Sequence, residues 1–292
     1  MIRSKRSPLV LDAILLTLLL AVLGFIGYRI TIGLHYTWNW SVIPQYILRY
    51  DTTSGHWVPN YLLQGLFTTI RLSLWAGMVA FVFALVAALA RIGNSLFGRM
   101  LARCYVELMR NLPPLVLIFI FYYFLADQLA LFLGIDEFVR NTTPKVQSLL
   151  TLLFCKPDQF SAFTAAALTL ALFEGAYLAE IIRSGIQSIP RHQWEAAHAL
   201  GLTRRHTLMY VVLPQAFRHV LPALAGQFIS LVKDSAIVSI ISIQELSYQG
   251  TQLMASTYLT IEVWITISIM YLLLTLPASL GVSWLERRMA SR

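Results

Sequence analysis

The chain has 292 residues, of which 58% are hydrophobic and only 12% are charged, and its mean hydropathy is +0.67. An ordinary soluble domain carries about 25% charged residues, so this composition excludes the soluble class and indicates an integral membrane protein. The net charge of +8 does not indicate nucleic-acid binding, because the Lys and Arg residues lie between apolar runs rather than on one soluble face.

Six apolar stretches are long enough, or nearly so, to cross a bilayer as helices of about 20 residues. They are expected near residues 9–32, 61–90, 107–133, 160–183, 219–242 and 260–285. The first stretch is too long for a signal peptide and has no small-residue cleavage site after it, so an uncleaved anchor is predicted. The sequence therefore predicts an all-α integral membrane protein with about six transmembrane helices.

Positive charge is divided unequally between the two sides of this topology. If the N-terminus is cytoplasmic, 15 Lys and Arg residues lie on the inner side and 5 on the outer side, while Arg71 and Lys233 fall within spans. Cytoplasmic loops carry the excess of positive residues, so both termini are predicted to be cytoplasmic.

Two loops on the outer side have distinctive composition. Residues 33–60 carry six Trp and Tyr residues, for which an interfacial anchor is preferred to a binding surface. Residues 134–160 include VQSLLTLLF, which is too short to span and is expected either to lie along the interface or to dip into it. Cys104 and Cys155 fall on opposite sides, so no bridge between them is expected, and neither has metal-ligand spacing around it.

A short basic segment, EAAHALGLTRRHTLMYVVLP, interrupts the apolar runs between the fourth and fifth spans. Pro190 suits the first turn of a short helix and Gly201 suits the left-handed residue that ends it. Thr203 is a candidate cap for a second helix, which Pro214 is expected to limit. Helices of this kind also rest on anionic lipid, but the small residues and Glu195 of the first helix favour docking in a protein groove.

Two ion pairs are predicted from helical spacing. Arg191 and Glu195, four residues apart, are expected to support each other on the short helix. Glu180 and Arg183, three apart at the end of the fourth span, are expected to form an ordinary surface pair. Trp194, Ala197 and His198 are expected on the apolar face of the short helix.

The segment carries a motif that resembles a known family. Glu195-Ala196-Ala197, then Gly201, then Val211 and Leu213-Pro214 are similar to the EAA motif of ABC importer permeases, with Val where Ile is commoner. The surrounding stretches AYLAEIIRSGIQSIPRHQWEAAHALGL, VVLPQAFRHVLPALAGQFISLVKDSAIVSI and LTLPASLGVSWLERRM resemble the polar amino acid uptake permeases of the histidine, glutamine, glutamate and arginine group. The likeness covers roughly residues 61–290.

The resemblance implies a type I ABC importer transmembrane fold with a five-helix core and an extra N-terminal helix. Residues 1–60 would form the anchor helix and extracytoplasmic loop, and residues 61–292 the permease core with coupling helices near 190–214. Glu195, Ala196, Ala197, Gly201, Leu213 and Pro214 would couple the chain to an ATPase. The chain would move polar amino acids across the bacterial cytoplasmic (inner) membrane by alternating access.

The resemblance also implies partners. They are two ATP-binding subunits, a second permease copy or a paralogue, an extracytoplasmic amino-acid-binding protein and membrane lipid. The sequence contains no phosphate-binding G-x-x-x-x-G-K-[ST] loop, so ATP and Mg²⁺ are expected on the partner ATPase, with no cofactor, metal or catalytic residue in this chain.

The substrate path is expected where polar groups fall inside spans, because a buried charge is costly and is kept for a use. Gln227, Ser230 and Asp234 share one face of the fifth span, and Glu174 lies beside small residues in the fourth. Glu174 or Asp234 would bind a substrate ammonium group, and Lys233 or Arg110 its carboxylate. Alternatively, Glu174 pairs with Arg71 or Lys233 and Arg110 marks the cytoplasmic edge.

The stretch RNLPPL at the start of the third span contains two consecutive prolines, which predict a kink or a break. Asn111 within it is a further substrate-path candidate. Arg71 is expected to snorkel or to pair with another side chain.

Two other classes of function are weaker. A secondary transporter would show internal repeats with broken helices, and the two halves show no clear self-similarity. A membrane enzyme would need a catalytic constellation. His192, His198, His206 and His219 instead lie in or beside the coupling segment, with no evident nucleophile.

Overall fold

The computed structural model describes residues 8–33, 36–53, 55–126, 128, 132 and 134–290. They fall into two compact units, one ending at Ser41 and one beginning at Val42. The first contains helix α1 (Pro8–Gly33), which corresponds to the first predicted span. In the same unit Trp38 and Trp40 stack with their ring centroids 6.0 Å apart. The basic residues expected to set the orientation at positions 3–6 and 292 lie outside the described residues.

The second unit begins with a small subdomain ahead of the long helices. Helix α2 (Ile43–Ile47) leads into an antiparallel hairpin of β1 (Leu48–Asp51) and β2 (His56–Pro59). Ile43 and Leu62 are buried in one apolar cluster with Leu246. Residues 43–59, which the sequence grouped with the anchor, therefore pack with the core.

The remaining helices complete the second unit. They are α3 (Tyr61–Ile92), α4 (Leu96–Asn111), α5 (Pro114–Ile120), α6 (Ile135–Arg140), α7 (Pro144–Leu153), α8 (Phe160–Gln187), α9 (Arg191–Ala199), α10 (Arg204–His206), α11 (Leu213–Asp234), α12 (Leu246–Thr257) and α13 (Thr260–Ala290). Wider π-type turns occupy Phe121–Ala126 and Thr207–Val212, and a tighter 3₁₀ turn occupies Ser235–Ile241. We call the end of the bundle that carries residues 188–214 the coupling end.

Helices α3 and α8 form the centre of the bundle. Alanines recur every four residues along α3, at positions 76, 80, 84 and 88, and each is 0% exposed. Ala171, Ala176 and Ala179 of α8 are buried in the same way. A stripe of small side chains lets two helix backbones approach closely. In a bilayer the hydrophobic effect does not drive helices together, so this close packing helps to hold α3 and α8 in contact.

The predicted spans agree with the structure except at the third. Among the described residues, five helices are long and apolar enough to cross a membrane, and a sixth span arises if α4 and α5 are counted as one bent pair. The third predicted span, 107–133, is divided between α4 and α5, which are bent by 117° relative to each other, and part of its end lies outside the described residues. Pro113 and Pro114 remove two backbone donors there, so the predicted break is confirmed.

The expected end of the second coupling helix at Pro214 is also wrong. The chain is helical from Arg204 through the π-type turn and α11, and this whole stretch counts as part of one candidate span. Pro214 lies in the first turn of α11, next to a turn whose hydrogen-bond pattern already departs from that of an α-helix. One missing donor at that point does not stop the helix. The coupling segment is thus one separate helix, α9, and the beginning of a span.

A buried carboxylate joins α12 to its neighbours. Glu245 is 0% exposed and accepts hydrogen bonds from the backbone N–H groups of Ser247 (2.8 Å) and Tyr248 (2.7 Å) at the start of α12. Tyr271 of α13 donates its hydroxyl to the same side chain at 2.9 Å. An acceptor at a helix N-terminus satisfies donors that otherwise have no partner, so Glu245 fixes both the start and the position of α12.

The close approach of α3 to α12 gives a stability prediction. A Cβ added at Gly65 would lie 2.9 Å from Leu246 Cα, whereas one added at Gly281 meets nothing within 4 Å. Alanine is better than glycine inside a helix by about 1 kcal/mol, but forcing packed backbones apart costs about 1–3 kcal/mol. We expect Gly65→Ala to lower the thermal unfolding temperature in detergent and the control Gly281→Ala to leave it unchanged or raise it. An equal effect of the two substitutions would contradict the close packing.

Candidate functional site

The short helix α9 is held to the bundle by one face only. Ala197 is 3% exposed, and Trp194 packs against the central apolar cluster that includes Ile189 and Val212. On the other side Glu195 is exposed and pairs with Arg191 at 3.0 Å, as predicted. The helix therefore has a fixed inner face and a free outer face.

His198 departs from the predicted pattern. The sequence placed it on the apolar face of α9 with Trp194 and Ala197, but its side chain is exposed. Leu200, one residue past α9, is 82% exposed. The contact of α9 with the bundle is therefore made by Trp194 and Ala197 without His198, and the apolar side chain of Leu200 projects from the end of the helix.

The turn after α9 has the geometry that the sequence predicted. Gly201 has a left-handed backbone with φ of +76°. The N–H of Leu202 donates to the carbonyl of Ala197 at 3.1 Å, and that of Gly201 to His198 at 2.9 Å, which satisfies carbonyls at the end of the helix. Thr203 Oγ1 then accepts from the N–H of His206 at 3.4 Å, so the predicted cap is confirmed.

Arg204 fastens this turn to the end of α3. Its guanidinium donates to the carbonyl of Ile92 at 3.1 Å and to the side chain of Asn94. The turn that follows α9 is thus tied to the helix at the centre of the bundle.

An ionic cluster lies at the same end of the bundle. Glu180 accepts hydrogen bonds from both Arg183, on its own helix, and Arg91 of α3. The three side chains are 14–24% exposed. The predicted pair of Glu180 and Arg183 is confirmed, but it is partly buried and is not a simple surface pair, because Arg91 joins it and cross-links α3 to α8 just ahead of the coupling segment.

The fourth span carries a buried carboxylate beside a cavity. Glu174 is 0% exposed, and its Oε2 accepts from Gln227 Nε2 at 2.8 Å. Its Oε1 has no hydrogen-bond partner among the described residues. Both side chains line a cavity of about 130 Å³ between α3, α8 and α11, whose other walls are Gly77, Phe81, Leu178, Leu224, Phe228 and Leu231.

Glu174 Oε1 can accept a hydrogen bond, but no donor is present for it among the described residues. A buried oxygen without a hydrogen bond costs about 1–3 kcal/mol, more when it is charged. Such a group is kept where a ligand or another side chain satisfies it at some stage. A cavity walled by apolar side chains with two polar groups is suited to a small cationic or N–H-bearing group.

Among the other substrate-path candidates, Asp234 is a direct neighbour of Glu174, because its carboxyl group lies within electrostatic and hydrogen-bonding reach of the Glu174 carboxyl group. Ser230 and Lys233 do not line the cavity, and Lys233 is exposed. The Arg110 guanidinium lies 5.7 Å from the centre of the Tyr177 ring. Asn111 donates to the Glu107 carbonyl of its own helix at 2.8 Å.

The alternative, an ion pair of Glu174 with Arg71 or Lys233, is not found among the described residues. Arg71 Nη1 instead donates to the backbone carbonyls of Thr151 and Phe154, so its partners are backbone carbonyls and not a carboxylate. Nothing in the sequence marked these partners, because a carbonyl is present at every residue. The small residue Gly175 serves helix packing, since a Cβ there would lie 2.9 Å from Tyr105 Oη.

The match of a family model places this helical membrane protein in the class of transport permeases. The chain belongs to the family of binding-protein-dependent transport system inner membrane components, whose model matches residues 80–291. Within that family it is a permease of the polar amino acid ABC importers, with the type I importer fold.

Two curated relatives illustrate the likeness. The chain is 32% identical over 227 residues to the probable glutamine ABC transporter permease protein GlnM of Bacillus subtilis, covering 78% of this chain and 92% of the relative. It is 31% identical over 251 residues to the glutamate/aspartate import permease protein GltJ of Escherichia coli, covering 86% and 94%.

Solved structures share the architecture. A chain in the crystal structure of an amino acid ABC transporter with histidines superposes with a TM-score of 0.66 and 31% identity, covering 87% of this chain and all of the other. A chain of the MetNI methionine ABC transporter in an inward-facing conformation superposes with a TM-score of 0.59 at 18% identity, over 78% of this chain and 96% of that one. The second likeness concerns the fold alone.

Proposed function

We propose that the chain translocates polar amino acids by alternating access, driven by two ATPase subunits that dock on α9 and the turn after it. The observation that carries this proposal is the one-sided attachment of α9. Its buried face, at Trp194 and Ala197, is packed on the bundle, whereas Glu195 and Ala196 project from it. A helix held in this way transmits a push or pull as a rigid body, because packed joints shift as units.

The coupling end faces the cytoplasm in this proposal. The unequal division of Lys and Arg, 15 against 5, supports that orientation through the positive-inside rule. ATP is available on that side, so the orientation and the docking of ATPases require each other. An extracytoplasmic binding protein would deliver substrate to the opposite end, and a second permease copy or paralogue would complete the path.

The Glu174 cavity is the proposed substrate contact in this chain. Glutamine, glutamate and arginine appear in the names of the relatives, and all three are amino acids with an α-ammonium group. The unpartnered Glu174 Oε1 would accept a hydrogen bond from such a group, with Gln227 holding the carboxylate in place. Asp234, as the acidic neighbour of Glu174, would belong to the same contact. Lys233, Arg110, Asn111 and Ser230 would contact substrate only in another conformation or from the second copy.

Reconstitution tests the proposal directly. The chain should be purified with its ATPase and placed in proteoliposomes with a binding protein for glutamine, glutamate or arginine. We expect uptake of the labelled amino acid only with ATP and the ATPase present. Uptake that proceeds without the ATPase and follows an imposed proton or sodium gradient would overturn the proposal in favour of a secondary transporter.

A further inference from the structure

The short helix α7 is fastened to the bundle by its C-terminal end. Arg71 Nη1 of α3 donates to the carbonyls of Thr151 (3.2 Å) and Phe154 (3.4 Å). Trp75 Nε1 donates to the carbonyl of Leu153 at 3.0 Å, and its ring stacks on Phe154 with centroids 4.3 Å apart. The last carbonyls of a helix have no partner within it and attract positive charge. Two side chains of α3 therefore fix the end of α7.

Helix α7 exposes its apolar side chains and partly buries its polar ones, which is the reverse of a helix on the surface of a soluble protein. Val146, Leu149, Leu152 and Leu153 are exposed by 39–66% and lie along one side of the helix. Gln147 and Thr151 lie on the other side and are half-buried. In water the apolar stripe of an amphipathic helix turns toward the protein core. An outward apolar stripe indicates that the surroundings of α7 are themselves apolar.

Two helices that share the Arg91 and Glu180 pair as reference agree on the depth of α7. Arg71 and Arg91 are 20 residues apart on α3, which is roughly 30 Å along a helix and matches the thickness of the hydrocarbon core. On α8, Phe160 and Glu180 are also 20 residues apart. The Phe160 ring lies 5.3 Å from the ring of Phe154 at the end of α7, and Glu180 binds Arg91 of α3. With the Arg91 and Glu180 pair at one boundary of the hydrocarbon, the end of α7 lies at the other.

We propose that α7 is an interfacial helix, with its apolar stripe inserted among the lipid acyl chains at the end of the bundle opposite the coupling end. Arg71 and Trp75 hold it at that depth. Arg and Trp side chains favour this boundary, since each combines an apolar part with groups that hydrogen-bond. Because α7 leads directly into α8, its attachment to the bilayer also fixes the start of the helix that carries Glu174. The proposal depends on the membrane location and not on the proposed transport mechanism.

Spin labels on α7 test the proposal. A Cys104→Ser parent leaves only Cys155, which is 6% exposed and should not label. Single cysteines are then introduced at Leu149 and Leu152 on the stripe and at Asp158, an exposed charged position beyond the end of α7, as the control. In lipid nanodiscs we expect stripe labels to collide more with oxygen, which partitions into lipid, than with a water-soluble nickel complex, and the label at position 158 to show the reverse.

Two other outcomes would overturn the proposal. Stripe labels that collide mainly with the nickel complex would place α7 in water, as a surface open to a soluble partner. Stripe labels protected from both reagents would mean that protein, such as a second copy of this chain, covers the helix. The holding role of Arg71 is tested by Arg71→Gln, which should increase the mobility of the label at Leu149. The control Arg49→Gln, in the hairpin ahead of α3, should not. Unchanged mobility in Arg71→Gln would refute that role, provided that the variant elutes as folded protein.

Discussion

Reversing the charge of Glu195 is expected to abolish ATP-driven uptake. The side chain is exposed and its only ion pair among the described residues is with Arg191, itself 92% exposed. A pair of this kind on a helix surface contributes about 0.3–0.5 kcal/mol, so Glu195→Lys should leave the fold intact. A like charge placed in a docking groove costs several kcal/mol. We therefore expect loss of uptake by at least about a hundredfold, measured in proteoliposomes with the ATPase present.

Two control variants separate docking from helix stability. Arg191→Gln removes the same ion pair but keeps Glu195, so it should retain most of the uptake. Glu286→Lys makes the same charge reversal at an exposed position of α13, on a different helix from α9, and should also retain uptake. Full uptake by Glu195→Lys, or loss of the ATPase in pull-downs of all three variants alike, would contradict a specific role for α9.

The sequence predicted the long helices well, because runs of about 20 apolar residues are a strong signal for a span. It located the left-handed Gly201 and the Thr203 cap, since each depends on one residue type in a local context. It wrongly predicted that a helix ends at Pro214. Proline is tolerated in the first turn of a helix, where Pro214 lies, and the residue types of the preceding π-type turn do not distinguish it from an α-helix.

Long-range contacts were beyond sequence reasoning. Arg71 binds carbonyls 80 and 83 positions away, and Arg91 reaches Glu180 across 89 positions. A single sequence shows that burying these arginine side chains is unfavourable, but it does not show which distant group compensates by binding them. Glu245 was overlooked although a carboxylate directly before a helix is a recognisable capping signal, because it falls outside the predicted spans. Polar residues within spans drew attention to Glu174 but not to the cavity beside it.

Replacing the ionisable carboxyl group of Glu174 is expected to weaken transport without unfolding the protein. Glu174→Gln keeps the size of the side chain and an oxygen that accepts from Gln227, but it removes the ionisable carboxyl group from the cavity. A hydrogen bond to a charged group contributes about 1.5–3 kcal/mol. If Glu174 binds the substrate ammonium group, uptake at low substrate concentration should fall by about tenfold to a hundredfold. The ATPase activity of the complex without substrate should be unchanged.

The second buried glutamate provides the matched comparison for this result. Glu245 is also 0% exposed, but it accepts hydrogen bonds from two backbone N–H groups and a tyrosine and lines no cavity with Glu174. Glu245→Gln should lower the thermal unfolding temperature and leave the substrate concentration for half-maximal uptake unchanged, whereas Glu174→Gln should do the reverse. If both variants lose only stability, Glu174 holds helices together and the substrate contact lies elsewhere. The contrast depends on a single atomic difference, since Glu174 Oε1 is the carboxylate oxygen left without a donor.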